Sequence, residues 1–364
     1  MIKKTAFYDI HEKAEGKLVE FAGYWMPVQY RSIVEEHKRV RKSVGLFDLS
    51  HMGEFSVKGP GAAEFVQYAV TNDVTKLAQG QVMYTAMLYP DGGIVDDLLV
   101  YNLGPEFLLV VNASNIDKDF AHLQGLAKGR DMQLINYSDE TALLAIQGPD
   151  AEKVMAKMTK YDLKSMKFYW SGVAEIAGSN MLFSRTGYTG EDGFELYMAP
   201  KDAVKLWNAA MEAGKEFDVE PIGLGARDSL RLEMKYALYG NDIDKTTNPL
   251  EAGLGWIVKL DKGDFMGRDA LMKIKADGVK RKNVAFELKE KGFPRQHYPI
   301  MLNGSKVGEV TSGIFSPSLE KGIGTGYVPN ECSNIGGTIM IDIRGKQIPA
   351  EIVKPPFYKH GTHK

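Results

Sequence analysis

Short hydrophobic runs separated by turn residues alternate with amphipathic helical patterns along most of this sequence. The runs predict a strand–turn–strand unit at 46–55, a three-strand meander at 81–89, 94–103 and 107–113, and strands at 132–137 and 141–147. Helices are predicted at 32–43, 60–69, 114–125, 149–158, 203–217, 221–235 and 268–276. Because strands and helices alternate irregularly, the pattern predicts an α+β fold with mixed or antiparallel sheets.

The first predicted helix has the most explicit start signal. Ser32 followed three residues later by Glu35 matches a capping box, and Gly45 follows the last helical residue. The preceding stretch, 21–30, is aromatic-rich and broken by turn residues, so we expect a loop there. Packing alone would explain those aromatic residues, although such loops also line ligand clefts.

The end of the chain follows a different pattern. From residue 283 to residue 358 short strands dominate, separated by turn dipeptides such as Asn303-Gly304. This pattern predicts a small β-barrel. The basic, glycine-bearing stretch 275–282 resembles a linker, so we expect one region over 1–274 and a barrel domain over 283–364.

Two adjacent carboxylates interrupt one predicted strand. The turn at 90–93 leads into a largely apolar run that contains Asp96 and Asp97. Neighbouring side chains of a strand point to opposite faces, so Asp96 shares a face with Leu98, and Asp97 shares the other face with Leu99. A carboxylate held among apolar groups either has a partner or has a raised pKa. The alternative is a strand end at which both acids are exposed to solvent.

Charge and cysteine content exclude several classes of protein. The chain has 364 residues and a formal net charge of −2, so no overall field favours nucleic acid or an anionic membrane. The single cysteine, Cys332, excludes an internal disulfide and a cysteine-rich metal site. There is no apolar run of about 18 residues and no N-terminal presequence, so we expect either a cytoplasmic protein, which the single cysteine also favours, or a mature chain that has already been trimmed.

Glycine-rich stretches do not form a nucleotide-binding motif. Gly187, Gly190 and Gly193 are evenly spaced, but no Gly-Lys-Ser/Thr follows them. The stretch 223–225 lacks the third glycine and the preceding strand of a dinucleotide site. Past these glycines, Glu195 alternates with apolar neighbours and is therefore a candidate for a polar site.

Many short motifs occur in one order along essentially the whole chain. They comprise 45–54, 71–73, Tyr84 with 92–97, 111–115, 147–149, 184–195, 223–228, 238–240, 247–249, 311–313 with 316–317, and 356–358. Together they resemble the aminomethyltransferase (T protein) family of the glycine cleavage system. The resemblance implies a three-lobed, cloverleaf-like fold with two α+β lobes, a C-terminal β-barrel and a central opening for folate.

The same resemblance implies an activity. A member of this family takes the aminomethyl group from the lipoyl arm of an H protein and gives its carbon to tetrahydrofolate. The products are 5,10-methylenetetrahydrofolate, ammonia and the dihydrolipoyl carrier. We therefore expect tetrahydrofolate as co-substrate and lipoylated H protein as partner, and no metal, nucleic acid or membrane.

The family motifs also imply roles for single residues. Asp97 would be the catalytic acid that orients a folate nitrogen and manages its proton. Tyr84 and Tyr101 would flank the pterin ring, and Asn112 would form a hydrogen bond in the same pocket. The backbone around Met52 and Val111 would help to line this pocket.

At the two ends of the folate, Glu195 would accept hydrogen bonds from the amino-pyrimidine edge, and Arg227 would bind the glutamate carboxylate. Tyr188, Tyr236 and Tyr358 are further candidates, each of which packing alone would also explain.

Three alternatives are compatible with the sequence. The first is a non-catalytic folate-binding relative of the type that maintains iron–sulfur clusters. The second is a folate-linked demethylase module that works with a flavin oxidase. This chain has no room for the long dinucleotide-binding region that such proteins carry, so a separate partner would have to supply it. The third is a dehydrogenase, which would need the missing third glycine and a βαβ unit.

Overall fold

The computed structural model describes residues 2–363, which form twenty β-strands and eight α-helices. The strands are β1 (Lys3–Lys4), β2 (Lys17–Phe21), β3 (Tyr24–Gln29), β4 (Gly45–Asp48), β5 (Gly53–Lys58), β6 (Val82–Leu88), β7 (Ile94–Asn102), β8 (Glu106–Val111), β9 (Gln133–Asn136), β10 (Ala142–Gln147), β11 (Ser171–Ile176), β12 (Ser179–Ser184), β13 (Gly193–Met198), β14 (Glu220–Pro221), β15 (Arg281–Leu288), β16 (Pro299–Leu302), β17 (Ser305–Ser316), β18 (Lys321–Pro329), β19 (Thr338–Ile343) and β20 (Lys346–Val353). The helices are α1 (Tyr8–Lys13), α2 (Ile33–Lys42), α3 (Ala62–Ala69), α4 (Ile116–Ala127), α5 (Ala151–Ala156), α6 (Ala203–Ala213), α7 (Leu224–Glu233) and α8 (Arg268–Asp277).

Two sheets with helices on one face make up most of the first 235 residues. A five-stranded sheet has the order β6-β7-β8-β5-β9, and a six-stranded sheet has the order β11-β12-β13-β10-β4-β14. Helices α3 and α4 cover a core on the first sheet, and α5 and α6 cover a core on the second. The predicted meander is therefore confirmed as β6, β7 and β8.

The chain passes from one sheet to the other and back. Strand β4 pairs in the six-stranded sheet, whereas β5, only a few residues later, pairs in the five-stranded sheet. The return occurs between β9 and β10. A third apolar core, which includes Tyr101, Leu143 and Tyr197, fills the space between the two sheets. This interleaving brings both sheets to one shared boundary.

Strands β15 to β20 close into a barrel in the order β15-β18-β17-β16-β19-β20. Apolar side chains such as Phe286, Ile300 and Ile341 fill its interior. The predicted α+β fold with a C-terminal barrel is confirmed. The division at 1–274 and 283–364 stays a prediction.

The N-terminal segment differs from the prediction. Residues 24–29, for which we expected a loop, form β3, the central strand of a small sheet of order β1-β3-β2. Pro27 cannot donate a ladder hydrogen bond, which normally disfavours proline in a central strand. Strand β1 pairs only with Tyr24 and Trp25, so β3 has no partner on that side by the time it reaches Pro27.

Helix α2 begins where the sequence predicted. The Ser32 side chain accepts a hydrogen bond from the backbone N–H of Glu35, and the Ser32 hydroxyl donates to the Glu35 carboxylate. Helix α7 lies centrally in the molecule, because it packs against α2, β3 and the barrel strand β17. The side chains at its C-terminal end therefore lie where the lobes meet.

Candidate active site

A cavity of about 670 Å³ lies where the two sheets, the segment after α7 and the barrel meet. Eight of the residues singled out from the sequence line it: Met52, Tyr84, Asp97, Asn112, Tyr188, Glu195, Arg227 and Tyr236. They come from distant parts of the chain, and the fold brings them together. Most of the remaining lining is apolar, which is typical of a small-molecule site with few polar anchors.

Asp97 lies on the wall formed by the five-stranded sheet. The turn before β7 depends on Gly92, whose φ is +88°, and on Gly93, whose place leaves no room for a Cβ beside the Lys245 carbonyl. Asp97 Oδ2 accepts a hydrogen bond from the Tyr84 hydroxyl at 2.8 Å, and Oδ1 accepts one from Asn112 Nδ2 at 2.9 Å. The side chain is therefore held in one orientation.

The protonation of Asp97 is set by its surroundings. Burial raises its pKa to about 7, and the neighbouring Asp96 charge acts in the same direction, while the Tyr84 and Asn112 hydrogen bonds oppose the rise. An acid with a pKa near neutrality accepts and returns protons readily at physiological pH. This position therefore suits proton transfer.

Asp96 points away from the cavity, as the alternation of the strand predicted. It is fully buried and does not line the cavity. Its carboxylate accepts hydrogen bonds from the backbone N–H and the Nδ2 of Asn112, each at 2.9 Å, and from Asn115 Nδ2 at 2.6 Å. Asn112 thus contacts both acids, so the two faces of β7 are coupled.

Glu195 lies on the opposite wall, on strand β13 of the six-stranded sheet. It accepts a hydrogen bond from the Thr186 hydroxyl. Burial raises its pKa, while the Thr186 hydrogen bond and the positive charge of Arg227 oppose the rise. Glu195 is therefore a buried acceptor whose negative charge is favoured by the positive charge of Arg227.

Arg227, in the first turns of α7, is the cation of this wall. Its guanidinium carbon lies 5.0 Å from the centre of the Tyr188 ring, and Tyr188 stacks on Tyr236 with ring centroids 5.7 Å apart. Within residues 2–363, no carboxylate lies within ion-pair distance of it. Burial lowers its pKa. A desolvated guanidinium without an acid partner is suited to binding an anionic ligand group.

Three other predicted residues lie outside the cavity lining. The Tyr101 hydroxyl bonds to Tyr197 at 2.7 Å and to Ser184 at 3.1 Å, in the core between the two sheets. Val111 is buried in the core beneath α3 and α4. Tyr358 lies against Arg41, whose guanidinium carbon is 4.0 Å from the ring centre. Their proposed contacts with folate stay predictions.

Several lining residues were not anticipated from the sequence. Trp256 lines the cavity, is 61% exposed, and its ring centroid lies 5.8 Å from that of Tyr84. Lys235, with a left-handed φ of 58°, also lines it and forms no ion pair with the described residues. Both follow α7 in irregular segments where periodicity carries no signal. A non-glycine residue with positive φ is strained, which becomes visible only in the structure.

Within residues 2–363, no three His, Cys, Asp or Glu side chains are grouped so that they would hold a metal ion. None of the helices over the same residues has the length and apolar character needed to cross a membrane. The cytoplasmic location stays a prediction.

A cavity of this size that holds a near-neutral carboxyl group is typical of an enzyme active site. Comparison with known proteins identifies the family. The GCVT N-terminal domain matches residues 7–262, and the glycine cleavage T-protein C-terminal barrel domain matches residues 281–359. The chain belongs to the aminomethyltransferase (T protein) family of the glycine cleavage system.

Individual relatives agree. An aminomethyltransferase of Halothermothrix orenii is 53% identical over 98% of this chain and 100% of its own length. An aminomethyltransferase of Chloroherpeton thalassium is 52% identical over 98% of this chain and 99% of its own length. The crystal structure of glycine cleavage system aminomethyltransferase T from Bartonella henselae superposes with a TM-score of 0.94, at 36% identity, over 100% of both chains.

These comparisons confirm the family resemblance, the three-lobed fold and the transferase class predicted from the sequence. They favour a transferase over the folate-binding alternative without catalysis, because the matched relatives are named as aminomethyltransferases. The dehydrogenase alternative has no support in the observed topology, since neither α+β sheet is doubly wound.

Proposed function

We propose that this chain moves the carbon of an aminomethyl group from the lipoyl arm of an H protein to tetrahydrofolate, and releases ammonia. One observation carries the proposal: an acid poised near neutral pH and an arginine without an acid partner share one cavity. The first group suits proton transfer to and from a nitrogen, and the second suits a carboxylate-bearing substrate.

The cavity offers complementary groups for each part of a folate. Glu195 is an acceptor for the paired N–H donors of the amino-pyrimidine edge, and Asn112 and Asp97 lie on the opposite wall. Tyr84, with Trp256 beside it, provides flat apolar surface. Arg227, over Tyr188, would bind the glutamate carboxylate.

The reaction balances without an oxidant or a reductant. Two carbon–nitrogen bonds form, to N5 and N10 of the folate, while the carbon–sulfur bond and the original carbon–nitrogen bond break. The two protons lost from N5 and N10 end on the sulfur and on the departing ammonia. Asp97 would orient N5 toward the carbon and take up and return its proton, and the cavity walls would fix the distance between the reacting atoms.

The test is ammonia release from aminomethylated H protein, with and without tetrahydrofolate. We expect release that depends on folate and is accompanied by 5,10-methylenetetrahydrofolate in equal amount. Tight binding of tetrahydrofolate without release of ammonia would overturn the proposal in favour of a folate-binding protein without transfer activity.

A further inference from the structure

A second pair of carboxyl groups lies behind the cavity, where β7 packs near α4. Asp96 and Asp119 are both 0% exposed. Asp119 Oδ1 accepts a hydrogen bond from Lys118 Nζ at 2.8 Å, whereas its Oδ2 is buried and has no donor among residues 2–363. Lys118 Nζ also donates to the carbonyl of Val95, the residue before Asp96, which places Asp119 beside Asp96. The Asp96 carboxyl is one cause of the raised pKa of Asp119. Two buried carboxylates in contact are not stable unless one of them carries a proton.

The hydrogen-bond donors identify which acid carries the proton. Three donors from Asn112 and Asn115 point at Asp96, an arrangement that stabilises the ionised form. Asp119 has one donor, and its second oxygen faces none. A proton on Asp119 Oδ2 would satisfy that oxygen, because the O–H group would donate to Asp96.

The other charged and titratable groups near the pair are few. Lys118 on α4 offsets one negative charge, and its amine lies 4.7 Å from the centre of the Tyr239 ring. Asp97 lies across β7 and His122 lies one turn further along α4. Burial and the Asp96 charge together raise the pKa of Asp119 to about 10, with Lys118 opposing the rise.

We propose that Asp119 is a neutral acid that donates a hydrogen bond to Asp96 and, through Asp96 and Asn112, positions the Asp97 carboxylate. The connection is the Asn112 amide, whose Nδ2 lies 2.9 Å from an oxygen of each of Asp96 and Asp97. When the Asp96 carboxylate is held in place, the Asn112 side chain keeps the orientation in which its Nδ2 also donates to Asp97. Asp119 is thus a positioning residue, and this part of the inference rests on the proposed function of Asp97.

The protonation of Asp119 is tested by stability, without any measurement of activity. A neutral Asp119 means that the folded protein holds a proton that the unfolded chain releases, so this group makes a contribution to stability that declines as pH rises from about 5 to about 9. Asp119→Asn mimics the neutral acid and lacks this loss. We expect the melting temperature of the variant, relative to wild type, to increase steadily over that range.

Asp117→Asn is the matched control, because Asp117 is exposed on the same helix, and its difference from wild type should not change with pH. An Asp119 that is ionised by its contact with Lys118 predicts the contrary result. Asp119→Asn would then lose an ion pair and be destabilised by the same amount at every pH, which would overturn the proposal.

Carbon-13 NMR of the aspartate carboxyl groups in the wild-type protein gives an answer that does not depend on a variant folding. At about pH 8.5 Asp97 should be largely ionised, so the proposal predicts one aspartate carboxyl resonance that is still protonated. A spectrum in which every aspartate is ionised at that pH would refute it.

The positioning role is tested by the pH profile of kcat/KM for folate-dependent ammonia release. Asp119→Asn should show the same rise of kcat/KM on the acidic side of the profile as the wild type. Asp119→Ala cannot donate a hydrogen bond to Asp96, so it should have a lower kcat/KM and a rise that is displaced along the pH axis. Equal profiles for the two variants would contradict the role of Asp119. Absence of ammonia release in the wild type would instead contradict the proposed function, and the stability and NMR results would still stand.

Discussion

The two walls of the cavity each present a buried acid, yet the two acids have different neighbours. Burial raises the pKa of Asp97, on the five-stranded sheet, to about 7, and the neighbouring Asp96 carboxylate adds to the rise. Glu195, on the six-stranded sheet, lies near the positive charge of Arg227 and accepts a hydrogen bond from Thr186, both of which oppose the rise that burial causes.

Burial alone therefore does not decide what an acid does in this site. Burial raises the pKa of both acids, but the like charge next to Asp97 adds to the rise, whereas the opposite charge near Glu195 opposes it. Asp97 is therefore better suited to proton transfer, and Glu195 is better suited to act as a fixed acceptor. We infer that one wall carries the chemistry and that the other wall recognises the ligand.

Replacement of the proton-handling acid should have the largest effect. Asp97→Asn keeps the size and the Tyr84 contact but removes the basic oxygen, so kcat should fall by about 10²- to 10⁴-fold with little change in folate affinity. Single-turnover kinetics together with equilibrium folate binding would measure both. A turnover close to that of the wild type would show that Asp97 is not the catalytic acid.

On the recognition wall, Arg227→Ala should weaken folate binding by about 2–4 kcal/mol, because a desolvated, charge-assisted contact is lost. Isothermal titration with tetrahydrofolate would measure the change. Tetrahydropteroate, which lacks the glutamate, is the matched ligand, and its affinity should be affected much less. Unchanged folate affinity would contradict the assignment of Arg227.

Glu195→Gln is the direct counterpart of the Asp97 substitution. One hydrogen bond to a charged group is lost and an N–H donor now faces the ligand, so we expect about 1.5–3 kcal/mol weaker folate binding with a smaller effect on kcat. If kcat fell as far as in Asp97→Asn while binding stayed intact, the division between the two walls would be wrong.

The smallest effect is expected from Asp96→Asn, because Asp96 faces away from the cavity and acts on Asp97 only through its charge and through Asn112, for which the asparagine oxygen remains an acceptor. Removing its charge takes away one cause of the raised pKa of Asp97. The reactive carboxylate exists above that pKa, so lowering the pKa should extend activity to more acidic pH, and a pH profile of kcat would detect this. A loss of activity as large as that caused by Asp97→Asn would contradict the conclusion that Asp96 and Asp97 point to opposite faces of β7.

Local patterns were enough to predict several features. The Ser32–Glu35 capping box located the start of α2, and the turns around 81–113 located the meander. The period of β7 separated Asp96 from Asp97, because opposite facing follows from backbone geometry alone. Family motifs indicated Arg227 and Glu195, and the fold places both at one cavity.

Features that depend on contacts between distant parts of the chain were not predictable in this way. Tyr101 shares a strand face with Asp97, but its hydroxyl is held by the other sheet, at Ser184 and Tyr197. Trp256 and Lys235 reach the cavity through irregular segments after α7. Asp96 lies on strand β7 and Asp119 lies on helix α4. The sequence pattern of neither element indicates that the two acids lie next to each other.

The most direct test of the account is the pH dependence of folate-dependent ammonia release, measured in single turnovers for the wild type and for Asp97→Asn. Because the Asp97 carboxylate forms as pH rises through its pKa of about 7, the wild-type rate should rise over the same interval and then level off. Asp97→Asn should show a low rate without that rise. If the variant kept the same inflection near pH 7, another group would be responsible for the proton, and the central claim about Asp97 would be wrong.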